Sequence, residues 1–149
     1  GFMAKNGMVS LNLLRSTDYP CVNGDQNPTH YSYAIYPHAG GFDPVKVDAL
    51  ANQYCERSLY GEGEACIPVF DNPQIQITAF KPAYDGNGYI LRAFERAGKA
   101  ATASLQLPAG YRLVGEVNLL EDAMAEAVCE MSFKPFQIRS FRLVRESGR

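Results

Sequence analysis

The clearest indication of the fold is given by residues 74–95, QIQITAFKPAYDGNGYILRAFE. Apolar and polar residues alternate in QIQITAF at 74–80 and again in GYILRAFE at 88–95. Such alternation is typical of a β-strand with one buried face. Between the two runs lies DGNG at 85–88, whose glycines supply the positive φ angles that a tight hairpin turn needs. The segment therefore predicts an antiparallel hairpin.

The same period of two recurs along most of the chain. Short alternating runs bounded by turn-forming residues are MVSLNLL (8–14), HYSYAIY (30–36), ATASLQL (101–107), YRLVGEV (111–117), AVCEMSF (127–133) and QIRSFRLV (137–144). Many short strands at a spacing of about 10 residues are typical of an all-β fold. The pattern predicts an antiparallel β-sandwich.

One segment departs from this period. In DPVKVDALANQYCER, residues 43–57, Asp43 is placed as an N-cap and Pro44 as the first helical residue. Apolar residues then follow at helical spacing, so this segment predicts one short helix. A second segment, LLEDAMAEA at 119–127, fits either a turn of helix or a loop.

The loop LYGEGEACIP separates the first two predicted strands and the helix from the later strands. Its glycine, glutamate and proline content makes it the best candidate for a boundary. We predict that residues 1–60 are the end of a large β-sandwich domain, that 61–67 are a linker, and that 68–149 are a small C-terminal β-sandwich domain.

Composition excludes several classes of function. The chain has 149 residues, of which 46% are apolar and 20% charged, as in ordinary soluble domains. A net charge of −2, with no basic run, gives no electrostatic reason to bind nucleic acid. No apolar stretch approaches the ~18 residues of a membrane span. We therefore expect neither nucleic acid nor a membrane as a partner.

The cysteines and the N-terminus favour a reducing compartment. Cys21, Cys55, Cys66 and Cys129 form no C-x-x-C pair, and we prefer free thiols to disulfides. The segment GFMAKNGMVS lacks the features of a signal peptide. A cytoplasmic location is the expectation.

The residues offer no self-contained active site. The only histidines, His30 and His38, are eight positions apart and cannot share a metal ion within one strand. No hydrolase, metalloprotease or phosphate-binding signature is present. Tyr31, Tyr33 and Tyr36 can stack on a sugar, although aromatic residues in alternating strands are mostly core.

Five segments, in order along the chain, carry a resemblance to a known family. They are VSLNLLRSTDYP (9–20), HYSYAIYPHAGGF (30–42), ITAFKPAYDGNGYILRAFERAGKAA (77–101), VNLLE (117–121) and KPFQIRSFRL (134–143). Together they resemble the C-terminal β region of the alpha-mannosidases of glycoside hydrolase family 38. The resemblance covers nearly the whole chain.

The resemblance also selects residues, although it implies no catalytic or metal-binding residue within this chain. Those that can reach the rim of the active site are Arg15, Tyr19 and His38. Arg15 either lines this rim or forms a structural ion pair with Asp18 or Asp25, and His38 is interpreted as a structural corner. Motif residues with a structural role are Asp25, His30, Tyr33, Pro37, Gly40, Lys81, Asp85, Gly86, Arg92, Glu95, Gly98, Glu121, Pro135 and Phe136.

The resemblance implies a parent enzyme that is a retaining, zinc-dependent hydrolase of mannose-containing oligosaccharides. Its nucleophile and zinc ligands would lie in an N-terminal catalytic domain, which would be the partner of this chain. The chain would then be a non-catalytic C-terminal portion, inactive and without a cofactor of its own, that shapes the cleft and supports a homo-oligomer. The alternative is a carbohydrate-binding or structural interaction module, and the absence of tryptophan argues against sugar binding.

Overall fold

The structure is a computed structural model that describes residues 1–14, 19–22, 24, 26–55, 67–126 and 128–146. The chain divides into two compact units, Gly1–Ala39 and Gly40–Arg149. The predicted linker at 61–67 lies outside the described residues except for Ile67, so a boundary at that place stays a prediction.

The first unit contains a two-stranded antiparallel hairpin. Strand β1 (Phe2–Lys5) pairs with β2 (Met8–Leu11), and Asn6 and Gly7 turn between them with φ angles of 54° and 74°. The strand predicted at 8–14 is therefore confirmed over its first four residues. The sequence prediction missed β1, although Asn-Gly is the strongest short hairpin signal.

The strand predicted at 30–36 is wrong. Residues 30–38 form no strand, and the alternating side chains of Tyr31, Tyr33 and Ile35 are all exposed. A strand needs a hydrogen-bonded neighbour, and no described strand pairs with this segment. Alternation of apolar residues indicates a face suited to burial, but it does not supply the partner.

The second unit is the sandwich. Its helix and strands are α1 (Pro44–Cys55), β3 (Val69–Phe70), β4 (Ile75–Pro82), β5 (Tyr89–Glu95), β6 (Ala101–Gln106), β7 (Tyr111–Val117), β8 (Ala123–Glu126), β9 (Glu130–Phe133) and β10 (Ile138–Arg145). A five-stranded sheet has the order β4-β5-β10-β7-β8, and a three-stranded sheet has the order β3-β6-β9. Every pairing is antiparallel. The predicted antiparallel β-sandwich with one short helix is confirmed.

The core lies between the two sheets of this unit. Phe70 and Phe133 come from the three-stranded sheet and Phe141 from the five-stranded sheet, with ring centroids 5.8–6.5 Å apart in edge or tilted contacts. Leu91 and Leu143 are completely buried beside them. Since successive side chains of a strand point to opposite faces, the neighbours of these residues lie on the outer face of the five-stranded sheet, where Ile90 is itself completely buried.

The hairpin predicted at 85–88 is confirmed between β4 and β5. The Ala83 amide donates to the Gly88 carbonyl at 2.9 Å, and the Gly86 amide donates back to the Ala83 carbonyl at 3.0 Å. Gly88 has a φ of 88°, and a Cβ there would lie 2.2 Å from the Leu143 carbonyl oxygen. Only glycine fits this position, because both its backbone angle and its distance from β10 exclude a side chain.

Two boundaries differ from the prediction. Of the two alternatives left open for 119–127, the loop is found at 119–122, but it is followed by the unpredicted strand β8, and the strand predicted at 127–133 begins at Glu130. The physical reason is that the chain changes sheets here, since β8 pairs with β7 while β9 pairs with β6. The two-residue strand β3 was also missed, because a run this short carries no period.

The predicted helix is confirmed as α1. The Asp43 side chain accepts hydrogen bonds from the amides of Val45 at 3.1 Å and Lys46 at 3.2 Å, so it caps the first turn. Arg96 then links the helix to the sandwich, because its Nη1 lies 3.0 Å from Asp48 Oδ2. Among the described residues, no helix has the length and apolar character of a membrane span.

Three of the four cysteines are described. Cys21, Cys55 and Cys129 are exposed free thiols, as predicted, and Cys66 lies outside the described residues.

Candidate functional site

The residues predicted for the active-site rim belong to the first unit. Arg15 lies outside the described residues, and so do both of its possible ion-pair partners, Asp18 and Asp25. The Tyr19 side chain is 87% exposed. The His38 ring stacks on Tyr36 with centroids 5.5 Å apart, and its assignment as a structural corner stays a prediction.

His30, Tyr33 and Pro37 are exposed on the segment without strand structure. Gly40 has a φ of 82°, a conformation that favours glycine, and it begins the second unit.

In the second unit, by contrast, the motif residues converge at two places. The first place, on the outer face of the five-stranded sheet, is the polar cluster, which consists of Lys81, Asp85, Arg92, Glu121, Ser140 and Arg142. The strand register explains the convergence, because Arg92 lies opposite Ser140 and next to the Ile90–Arg142 pair. Three separate sequence motifs thus meet on one surface.

Arg142 is the centre of the polar cluster. Its Nη1 lies 2.9 Å from both carboxylate oxygens of Asp85 and 2.9 Å from the Asn87 carbonyl oxygen. Its Nη2 donates to the Glu121 carbonyl oxygen at 3.0 Å. The planar guanidinium can address both partners at once, so it clamps the β4–β5 turn to the β7–β8 loop.

Arg92 supports the same loop from the neighbouring strand. Its Nε donates to Ser140 Oγ at 2.9 Å, and its Nη2 donates to the Leu119 carbonyl oxygen at 3.3 Å. The loop carbonyls of Leu119 and Glu121 are therefore each held by an arginine from the sheet beneath.

The Glu121 side chain ties the loop to the β4–β5 hairpin. Its Oε2 accepts a hydrogen bond from the Tyr84 amide at 2.7 Å, and its Oε1 pairs with Lys81. Glu121 has a φ of 73°, which is strained for a residue with a Cβ. Several contacts must hold this conformation, and the polar cluster supplies them.

The loop also has its own internal framework. Asn118 Oδ1 accepts hydrogen bonds from the amides of Leu120 at 2.8 Å and Asp122 at 3.0 Å. Asn118 Nδ2 donates to Asp122 Oδ2 at 3.0 Å. An asparagine that bonds its own backbone in this way fixes a turn, so the loop at 118–122 is specified both from within and from the sheet.

The carboxylates of the cluster are held in their ionised form. The hydrogen bond from Arg142, and after it the Asn87 amide, hold the pKa of Asp85 below its ordinary value. The hydrogen bond from Lys81, and after it the Tyr84 amide, lower the pKa of Glu121. Neither group therefore carries a proton at neutral pH, and neither can act as a general acid there.

The second place of convergence is a corner around Glu95, which has no exposed surface. Its carboxylate accepts hydrogen bonds from the amides of Ala97 at 2.7 Å, Gly98 at 2.8 Å, Phe136 at 3.0 Å and Lys99 at 3.2 Å. Burial raises the pKa of Glu95, but these backbone N–H groups outweigh burial and hold the pKa below its ordinary value. A buried carboxylate thus joins two turns.

The remaining motif residues of the corner have backbone roles. Gly98 has a φ of 70°, and a Cβ there would lie 2.5 Å from the Phe136 ring. Phe136 itself has a φ of 55° and follows Pro135 in the turn that precedes β10. Gly86, in the β4–β5 turn, likewise has a positive φ of 76°.

Sequence reasoning missed one partly buried ion pair and two members of the polar cluster on β10, Ser140 and Arg142. Arg139 Nε donates to Glu116 Oε1 at 2.8 Å, and its guanidinium lies 5.1 Å from the centroid of the Phe141 ring. Glu116 sits opposite Phe141, on the core side of β7, and a charged residue at an apolar position was the available signal. Ser140 and Arg142 stand two apart in RSFRL, so the alternation already placed them on one face.

Two grooves on the described surface are open to solvent. A groove of about 320 Å³ runs between β7 and β8, lined by backbone and by residues that include Val114, Met124, Ala125 and Arg142. Nowhere in the described ranges do three His, Cys, Asp or Glu side chains come together in a way that could hold a metal ion. These residues therefore do not fit the zinc ion that the family resemblance implies for the parent enzyme.

The comparisons with known proteins agree with this organisation. Residues 74–141 match the family described as glycosyl hydrolases family 38 C-terminal beta sandwich domain. The matched range extends from the start of β4 into β10, and it includes the polar cluster apart from Arg142.

Two curated proteins are similar over almost the whole chain. Alpha-mannosidase G of Dictyostelium discoideum is 25% identical over 164 aligned residues, which cover 97% of this chain and 15% of that protein. Alpha-mannosidase 2C1 of Mus musculus is 24% identical over 164 aligned residues, which cover 99% of this chain and 16% of that protein. No solved structure matches the chain significantly.

The chain therefore spans less than a fifth of the length of these two relatives. The family match, the two relatives and the two-sheet sandwich all support the resemblance read from the motifs. The sandwich at residues 74–141 is thus similar to the C-terminal β-sandwich domain of glycosyl hydrolases of family 38, and the chain is similar over almost its whole length to the two alpha-mannosidases.

Proposed function

We propose that this chain is the non-catalytic C-terminal portion of a parent alpha-mannosidase that acts on mannose-containing oligosaccharides. The parent would be a retaining, zinc-dependent glycosidase. The observation that carries the proposal is the family match over residues 74–141. The two proteins that are similar over almost the whole chain support it, because both are alpha-mannosidases.

The charges of the described residues support a non-catalytic role. A retaining glycosidase needs two carboxyl groups about 5 Å apart, and its general acid needs a raised pKa. The carboxyl groups with a clearly shifted pKa here are Asp85, Glu95 and Glu121, and all three are shifted downward. Each is occupied by an arginine, a lysine or backbone amides. The nucleophile, the acid and the zinc ligands would therefore come from the catalytic domain of the parent.

The proposed role of the chain is to shape the catalytic cleft and to support assembly of the parent, as a homo-oligomer in the cytoplasm. Arg15, Tyr19 and His38 are the proposed contributors to the rim. A guanidinium at Arg15 can donate two hydrogen bonds to sugar hydroxyls or to a carboxylate. Tyr19 is exposed and can offer a ring face to a sugar.

A second candidate function is a carbohydrate-binding module. The observation that favours it is the exposure of aromatic rings, with Tyr33 at 63% and Tyr31 at 44% on one segment. Aromatic faces bind sugars by stacking. Titration of this chain with mannose or mannobiose in a calorimeter separates the two functions, because only the module binds the sugar without the catalytic domain.

The test of the proposed function is an assay of the parent enzyme on an aryl alpha-mannoside. We expect turnover that a chelator removes and that added zinc restores. A parent that does not cleave alpha-mannosides, or one that keeps full activity after its zinc has been removed, would overturn the proposal.

A further inference from the structure

Large apolar side chains project from the two loops that the polar cluster holds. Tyr84 is 95% exposed, Leu120 is 82% exposed and Leu119 is 62% exposed. The Tyr84 amide is bonded to the Glu121 carboxylate, so the two loops that carry these side chains are adjacent. We call Tyr84, Leu119 and Leu120 the apolar tip.

The shape of the apolar tip is fixed without any help from its own side chains. Loops are usually ordered by burying some of their apolar groups, but here these side chains remain in solvent. Order comes instead from the arginines that hold the carbonyls of Leu119 and Glu121 and from the contacts of the Glu121 carboxylate with Lys81 and the Tyr84 amide. The polar contacts therefore present two leucines and a tyrosine outward in a set geometry.

The charges beneath the tip are already paired. Asp85 is bonded to Arg142, and Glu121 is paired with Lys81. A partner that covers the tip does not have to neutralise them. The chemistry that fits is an apolar depression that accepts an aromatic ring beside two leucine side chains, since rigid aromatic and aliphatic groups are effective anchors of an interface.

We propose that the apolar tip is a docking surface, and that its occupant is the part of the parent alpha-mannosidase that lies outside these 149 residues. The inference rests on the proposed function. The chain corresponds to 15% and 16% of its two relatives, so most of the length of such an enzyme is available to cover the tip. Pre-organisation lowers the entropic cost of docking, which accounts for the rigid polar support.

The test is hydroxyl-radical footprinting with mass spectrometry on the parent enzyme and on this chain alone. We expect modification of Tyr84 and Leu120 to be several-fold slower in the parent. Val128 is the control, because it is also an exposed apolar loop residue, at 67%, and lies beyond the far end of β8. Its rate should be the same in both samples.

Equal rates at Tyr84 and Leu120 in the two samples would overturn the inference. Protection that appears in this chain alone and increases with its concentration would also overturn it, and would identify a second copy as the occupant. Turnover of an aryl alpha-mannoside by the same parent preparation reports on the proposed function separately, so the two failures can be distinguished.

A variant pair gives a second readout. In the parent, Leu120→Asp should make the junction of this region with the rest of the enzyme several-fold more sensitive to limited proteolysis, because a carboxylate would be placed in an apolar contact. Val128→Asp should leave the proteolysis rate unchanged. Equal sensitivity of the two variants would contradict the assignment of the tip.

Discussion

Asp85 and Arg142 are 57 positions apart in the sequence, yet both carboxylate oxygens of Asp85 lie 2.9 Å from Arg142 Nη1. The pair joins the turn after β4 to the middle of β10, and Arg142 extends the link to the Glu121 carbonyl. The loop at 118–122 thus depends on a residue from another motif.

The first feature to test is the set of hydrogen bonds that the planar guanidinium of Arg142 donates. Arg142→Lys keeps the charge but loses the planar set of donors, so we expect the melting temperature to fall by about 5 °C and the amides of the 118–122 loop to exchange faster. Arg112→Lys, at an exposed position of β7, is the control and should change neither value. Unchanged amide exchange in the loop of the Arg142→Lys variant would show that Arg142 does not hold this loop in place.

The second prediction concerns acid stability. The pKa of Asp85 lies below its ordinary 3.8 and that of Glu121 below its ordinary 4.5. A carboxylate with a lowered pKa in the folded state stabilises the fold above its ordinary pKa, and this contribution is lost as the pH falls through the folded value. The melting temperature should therefore decrease as the pH falls below about 4.

Asp85→Asn isolates the contribution of one group. The variant should be less stable than the native chain at pH 7, and the difference between the two should shrink as the pH falls below 3.8. Melting curves at several pH values measure this difference. A gap that stays constant down to the lowest pH at which the chain folds would contradict the ionised state of Asp85.

The third prediction concerns the buried carboxylate at the second corner. Glu95→Gln keeps the shape of the side chain but replaces one acceptor oxygen with a donor, which leaves buried amides unpaired. We expect the free energy of unfolding to fall by about 1.5–3 kcal/mol. Glu130→Gln, at an exposed position of β9, should change it by less than about 0.5 kcal/mol, and equal effects would refute the role of the corner.

The fourth prediction uses two glycines with similar backbone angles. Gly88 and Gly110 have φ angles of 88° and 79°, but a Cβ at Gly110 would meet no atom within 4 Å. Gly110→Ala should cost only the backbone strain, about 1 kcal/mol. Gly88→Ala should cost more than about 3 kcal/mol, because β10 must move away from the Leu143 contact. Chemical denaturation of both variants measures the difference in the free energy of unfolding. Equal losses would contradict the close approach of Gly88 to the Leu143 carbonyl oxygen.

The sequence predicted those parts of the fold whose signals are local. The DGNG turn between two alternating runs specifies its own hairpin, and Asp43-Pro44 specifies the start of α1. The same reasoning failed at 30–36, where the alternating pattern is present but no described strand lies beside it. A period identifies a face suited to burial, whereas pairing depends on segments that are distant in the sequence.

The candidate site shows the same division. Lys81, Asp85, Arg92 and Glu121 were selected through the family motifs, but their meeting on one face follows from the register of β5 against β10. Arg142, which connects them, was not selected, since one arginine in an alternating strand looks like any other exposed position. Pairwise register is a property of the folded sheet, and no single motif contains it.

We have proposed that this chain is the non-catalytic C-terminal portion of a parent alpha-mannosidase. The most direct measurement compares this chain and the parent enzyme, at equal molar concentration, for turnover of an aryl alpha-mannoside in the presence of zinc. We expect turnover by the parent and none by the chain. Turnover by the chain that survives repurification, together with one bound zinc per chain, would contradict it.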